Sequence, residues 1–132
     1  AGLTSAQKTR YQAFPYLHEK MGAALAAGDL VIARAGASTL GEFPFFSLPA
    51  ILVPYPHAWR YQEVNADYLA ERGAAIMLED GLLQTRLLKV VKDLLENPHK
   101  LEAMQNAMKS LRHPQAAQAI AEQLLELGGQ RL

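Results

Sequence analysis

The run Ala50-Ile-Leu-Val53, closed at its two ends by Pro49 and Pro54, constrains the fold more than any other part of the sequence. Four apolar residues with no polar alternate predict a buried strand, and the flanking prolines fix its length. Two further runs fit the same description: Asp29-Leu-Val-Ile-Ala33 and Ala74-Ala-Ile-Met-Leu78, the latter ended by the turn Glu79-Asp80-Gly81. Helical stretches separate them. Thr39 to Phe46 follows the turn Arg34-Ala-Gly-Ala-Ser-Thr39, and Arg60 to Arg72 carries Val64, Tyr68 and Leu69 before Gly73 stops it. Each crossover is long enough for a right-handed parallel connection, so the pattern is that of βαβ units.

The remainder reads as helix. Leu83, Leu87, Val90, Val91, Leu94 and Leu95 recur at helical spacing up to Asn97-Pro98. Leu101, Met104, Met108 and Leu111 form a second stripe, ended before Pro114. Ala117, Ile120, Ala121, Leu124 and Leu125 form a third, ended by Gly128-Gly129. All three stripes are expected to pack into the core, with the methionines filling gaps. Tyr11 to Leu17 can hold a strand despite Pro15, and His18 to Ala27 reads as an alanine-rich helix. The expected fold is α/β: a partial Rossmann-like parallel sheet of three to four strands, flanked by helices, with a helical carboxy-terminal tail. Nothing before Tyr11 supplies the strand, glycine-rich turn and helix that open a doubly wound sheet. Residues 1–132 are therefore expected to form a single domain without its front end, leaving apolar surface through which two copies can pair.

Composition removes whole classes of function. About half the residues are hydrophobic, enough for a core. Thirteen basic residues balance thirteen acidic ones, which argues against a nucleic-acid partner. Without cysteine there is no disulfide, thiolate metal site or cysteine nucleophile. The four histidines, His18, His57, His99 and His113, lack metal-ligand spacing, and no cofactor is called for. No apolar run approaches the roughly 20 residues of a membrane span, and a cytoplasmic domain is expected.

One turn stands out chemically. Gly36-Ala37-Ser38-Thr39 lies between a strand and a helix, where unpaired backbone N–H groups and the helix dipole favour an anion. Gly36 and Ala37 let a phosphate approach, while Ser38 or Thr39 either donates a hydroxyl to it or caps the helix. Glu42 is either the far end of a capping box begun by Thr39 or a carboxylate for a ribose diol. Gln62 and Asn65, three apart, share a helix face and suit sugar hydroxyls; without a site they are ordinary surface amides. His57 follows the second strand on the edge where open α/β sheets bind ligands. There is no serine–histidine–acid set and no carboxylate pair for acid–base work.

Taken together, Asp29-Leu-Val-Ile-Ala-Arg-Ala-Gly-Ala-Ser-Thr-Leu-Gly-Glu42, Leu48-Pro-Ala-Ile-Leu-Val-Pro54, Gln62-Glu-Val-Asn-Ala66 and Gly73-Ala-Ala75 resemble the bacterial N-acetylglucosaminyltransferases that make lipid II. These are GT-B enzymes with two facing Rossmann-like domains, and the resemblance runs from about Tyr11 to the end. It implies the carboxy-terminal, donor-binding part of an enzyme that transfers N-acetylglucosamine, with inversion, from UDP-N-acetylglucosamine to a lipid-linked muramyl sugar. It implies that backbone N–H groups of Gly36–Thr39 hold the diphosphate and that Glu42 holds the ribose. Gln62 and Asn65 match amides near the sugar, and His18 a position whose backbone reads the uracil edge. Arg34 matches a position beside the diphosphate turn, where it either touches phosphate or braces the turn. Many relatives have histidine where this chain has Tyr61. The acceptor site, the catalytic base and the patch facing the cytoplasmic side of the plasma membrane belong, by the same resemblance, to an amino-terminal domain, so no residue here is expected to be catalytic. The same turn and downstream glutamate also occur in glycosyltransferases using other nucleotide sugars, and a non-catalytic nucleotide- or partner-binding module is a further alternative.

Overall fold

A computed structural model describes residues 4–57 and 61–129. The apolar runs become three short parallel strands, β1 (Val31–Ala33), β2 (Ala50–Leu52) and β3 (Ala75–Met77), in spatial order β1-β2-β3. Their register is one-to-one: Val31 faces Ala50, which faces Ala75, and Ala33 faces Leu52, which faces Met77. Helices fill the intervals: α1 (Ser5–Lys8), α2 (Met21–Ala27), α3 (Thr39–Phe46), α4 (Tyr61–Glu71), α5 (Leu83–Leu95), α6 (Pro98–Ser110) and α7 (Ala116–Gly129). The expected start of α4 at Arg60 lies outside the described residues.

The sheet separates two apolar layers. On one side Ala50, Leu52 and Ala75 pack with Phe43 of α3, Ala66 and Leu69 of α4 and Met108 of α6. On the other, Ile51, Val53 and Leu78 pack with Leu94 of α5 and Met104 of α6, the methionines filling gaps as expected. β2 is buried at every residue, which is why it tolerates no polar alternate. The second layer stops short of β1, where Ile32 stays 47% exposed.

Sequence marks the helix ends. Gly73 takes φ +71°, so that its N–H and that of Ala74 close back on Ala70 and Leu69 carbonyls. Asn97 does more than end α5: its side chain accepts from the Lys100 N–H and caps α6, with Pro98 in the first helical turn.

Three expectations need correction. Tyr11 to Leu17 forms no strand; Tyr11, Phe14 and Tyr16 are exposed, and Pro15 removes a ladder donor. The described sheet accordingly has three strands and no fourth. His18 to Ala27 opens as a 3₁₀ turn, His18–Lys20, and becomes α-helical only from Met21. The third stripe is not core: α7 buries none of its residues, and Ile120, Leu124 and Leu125 face solvent. Its periodicity records an apolar face, not what covers it.

Leu94→Ala is expected to cost about 2–5 kcal/mol in urea unfolding, because it opens a cavity under the sheet. Leu124→Ala in α7 should stay within about 0.5 kcal/mol, as for an exposed site.

Candidate functional site at the carboxyl edge of the sheet

Because the strands are level, their carboxyl ends release three segments side by side: Arg34 to Ser38, Val53 to His57, and Leu78 to Gly81. Open α/β sheets present ligand sites along this edge.

The turn after β1 is a one-turn extension of α3. Thr39, Leu40 and Gly41 donate their N–H groups to the carbonyls of Gly36, Ala37 and Ser38. Ser38 is the N-cap residue, yet its side chain makes no capping bond and its backbone is already helical. Thr39 lies inside the helix, 5% exposed, and its hydroxyl donates to the Gly36 carbonyl at 2.6 Å. The capping box is therefore absent, since Thr39 is not the N-cap. The Thr39 hydroxyl is committed within the turn, while that of Ser38 stays uncommitted. Among the described residues, the N–H groups of Gly36, Ala37 and Ser38 donate to no acceptor. The free donors thus lie one step nearer the strand than the helix boundary suggests. A Cβ added at Gly36 would meet nothing within 4 Å, and its φ lies outside the left-handed region. Nothing among the described residues requires glycine there. Glu42 is exposed in the first turn of α3, and no described hydrogen bond uses its carboxylate.

Side chains lock the edge into a closed ring. Arg34 Nη1 donates to the carbonyls of Val53 (3.2 Å) and Pro54 (3.3 Å) and to the Asp80 carboxylate. Its guanidinium carbon lies 5.4 Å from the centre of the Tyr55 ring. The Tyr55 N–H donates to Gln62 Oε1 at 2.9 Å, tying the loop after β2 to α4. Asn65 Nδ2 donates to the Ala35 carbonyl at 3.0 Å, tying α4 back to the end of β1. The amides at 62 and 65 do more than face solvent: each commits one end to the frame, while no described hydrogen bond uses the other, Gln62 Nε2 or Asn65 Oδ1. Tyr61 opens α4 and is 77% exposed.

Sequence reasoning missed Asp80 and Tyr55. Asp80 was legible only as part of a turn; its place at the carboxyl end of a strand was the available signal. Beside the Arg34–Asp80 contact a cleft of 590 Å³ opens between Tyr55, Glu63, Met77 and Glu79. His57 packs edge-on against Tyr55. His18 is not drawn into the ring: it takes φ 42° before α2, its side chain packs on Tyr16, and no described hydrogen bond joins it to the turn. The described residues contain no cluster able to hold a metal ion, and no described helix is long and apolar enough to cross a membrane.

Residues 3–120 match the family described as the glycosyltransferase family 28 C-terminal domain. The chain belongs to this family. It is 47% identical over 117 residues to a UDP-N-acetylglucosamine–N-acetylmuramyl-(pentapeptide) pyrophosphoryl-undecaprenol N-acetylglucosamine transferase of Desulforudis audaxviator, covering 87% of this chain and 31% of that protein. A Chlorobium phaeobacteroides protein of the same description is 42% identical over 129 residues, covering 96% and 35% respectively. The crystal structure of Acinetobacter baumannii MurG superposes with a TM-score of 0.77 at 30% identity, over 87% of this chain and 33% of that one. The chain thus spans about a third of the length of these relatives, and its fold is that of the MurG carboxy-terminal domain.

Thr39→Val is expected to destabilise the chain by about 1 kcal/mol, since it removes the hydroxyl bond to the Gly36 carbonyl and leaves that carbonyl the Thr39 N–H alone. Ser38→Ala, which removes no bond of the described turn, should leave the unfolding midpoint almost unchanged in the same titration.

Proposed function

We propose that this chain is the donor-binding part of an inverting N-acetylglucosaminyltransferase that converts lipid I to lipid II in peptidoglycan synthesis. The reading rests chiefly on the turn 36–38: three N–H groups without acceptors, at a helix start on the carboxyl edge of a parallel sheet. The family and the names of the relatives supply the chemistry: a UDP sugar as donor and a muramyl sugar on pyrophosphoryl-undecaprenol as acceptor.

In this reading the backbone donors of Gly36, Ala37 and Ser38 take the donor diphosphate. The Ser38 hydroxyl is free to join them, and Thr39 keeps the turn closed. Glu42 accepts both ribose hydroxyls, and the free ends of Gln62 and Asn65 meet the sugar. The backbone at His18 reads the uracil. In the transfer, the acceptor C4 oxygen bonds to the anomeric carbon from the face opposite the diphosphate. The bond from that carbon to the phosphate oxygen breaks, and UDP leaves with the electron pair. The turn is then most valuable, because negative charge grows on the oxygens its N–H groups hold. The acceptor proton passes to a base that this reading assigns to a separate amino-terminal domain. That domain also carries the lipid-linked acceptor, at the cytoplasmic face of the plasma membrane. The 132 residues by themselves are accordingly expected to bind donor without turnover.

The deciding experiment is an amide-resolved titration with UDP-N-acetylglucosamine, with UDP-glucose and ADP-glucose as controls. Shifts confined to Arg34–Glu42 and Gln62–Asn65, strongest with UDP-N-acetylglucosamine, support the reading. Equal response to all three would point to another nucleotide-sugar enzyme of this fold, and silence at millimolar ligand would remove the donor site.

Two substitutions separate its parts. Glu42→Ala is expected to weaken donor binding by about 1–3 kcal/mol, the scale of hydrogen bonds to a charged group. Gly36→Ala should leave stability level or raise it by up to about 1 kcal/mol, while weakening donor binding by filling the space over the turn.

A further inference from the structure

The donor reading leaves Asp80 without a role, although it is the charged partner of Arg34 across 46 residues of sequence. We propose that Asp80 and Arg34 act as one positioning unit for the phosphate-binding turn, with Arg34 bracing the strand ends instead of serving as a counter-charge to the diphosphate. This rests on the donor reading above.

Three acceptors from two loops converge on a single guanidinium nitrogen: the Val53 and Pro54 carbonyls and the Asp80 carboxylate. Tyr55 takes the cation over its ring at 5.4 Å. A planar, delocalised cation satisfies main-chain acceptors, a carboxylate and an aromatic ring together; a lysine ammonium, a compact charge on another stem, does not. The Asp80 charge also matches that of Arg34 where it stands. An exposed ion pair contributes little by itself, and this one is 46% and 35% exposed. Its consequence is geometric. Arg34 immediately precedes Ala35, whose carbonyl Asn65 holds, and the loop it grips is held again by Gln62. Releasing Asp80 frees the guanidinium to leave the carbonyls, and the ring around the turn opens at one corner. N–H donors misplaced by a fraction of an ångström lose much of their grip on an anion.

The test measures UDP-N-acetylglucosamine binding by calorimetry for the wild-type chain, R34K, D80N and the double variant, with amide spectra of each before ligand. Each single variant is expected to bind roughly five- to tenfold more weakly, and the double variant no more weakly than either, because both break one unit. Ligand-free D80N should shift amides of Ala35–Ser38 and Tyr55 while α6 keeps its wild-type positions, a signature that general loosening would not give. Wild-type affinity in R34K would make Arg34 a simple phosphate charge and overturn the proposal. So would D80N binding as well as or better than wild type. Should the wild-type chain itself bind no donor, the donor reading fails. The ligand-free spectra then decide the brace: shifts at Ala35–Ser38 and Tyr55 in D80N uphold it, and unmoved amides there overturn it.

Discussion

Everything at the carboxyl edge depends on three parallel strands ending level. The one-to-one register sets Ala33, Leu52 and Met77 in a row across the sheet. Neighbouring strands lie about 5 Å apart, so the row spans roughly 10 Å. Arg34, leaving β1, leans over the end of β2 and meets Asp80 beyond β3. Only a long side chain with several donors bridges that distance and still satisfies the carbonyls on the way. A slip of one residue in either pairing would turn the strand's apolar side chains to the wrong layer and pull these groups out of reach. The burial of β2 on both faces thus protects the site as well as the core, because it makes such a slip costly.

In the donor reading, the edge attracts an anion by an economical use of charge. The chain is neutral overall, and the Arg34 cation is matched by Asp80. What faces outward at the turn is backbone: the N–H groups of Gly36, Ala37 and Ser38, at the positive end of α3. Partial charges held rigidly need no rearrangement when a phosphate arrives, whereas an exposed lysine must be ordered first. Rigidity is what the ring of Arg34, Gln62 and Asn65 contributes.

How much of this was legible follows from which interactions are local. The strands and the extent of α3 were readable from proline fences and apolar runs, because buried parallel strands leave that imprint directly. The turn, Glu42 and the two amides were readable as a set of residue types at suitable spacing. The division of labour within that set was not. Whether Ser38 or Thr39 caps the helix depends on the backbone angles of one residue, and φ −61°, ψ −27° at Ser38 carries the helix past the position a capping box needs. The partner of Arg34 lies 46 residues away, and only the sheet order brings it close. The amides of Gln62 and Asn65 read identically on a solvated surface and in a frame. For the same reason the stripe on α7 looked like core: a helical period describes a face and is silent about its neighbour.

That silence has its sharpest consequence at β1. This strand is only three residues long and pairs on one side alone within the described sheet. In a parallel ladder alternate residues turn their N–H and carbonyl to opposite sides. Val31 and Ala33 bond toward β2, so the backbone of Ile32 points to the open side, and its side chain is half exposed as well. Arg34, the Ala35 carbonyl and the turn 36–38 follow without a break. An edge strand with a half-exposed centre therefore carries the turn, and the ring to β2, β3 and α4 makes up for what β1 lacks in ladder partners. Any displacement at Ile32 bears directly on the turn, because a strand of three residues cannot move at its centre and stay fixed at its end.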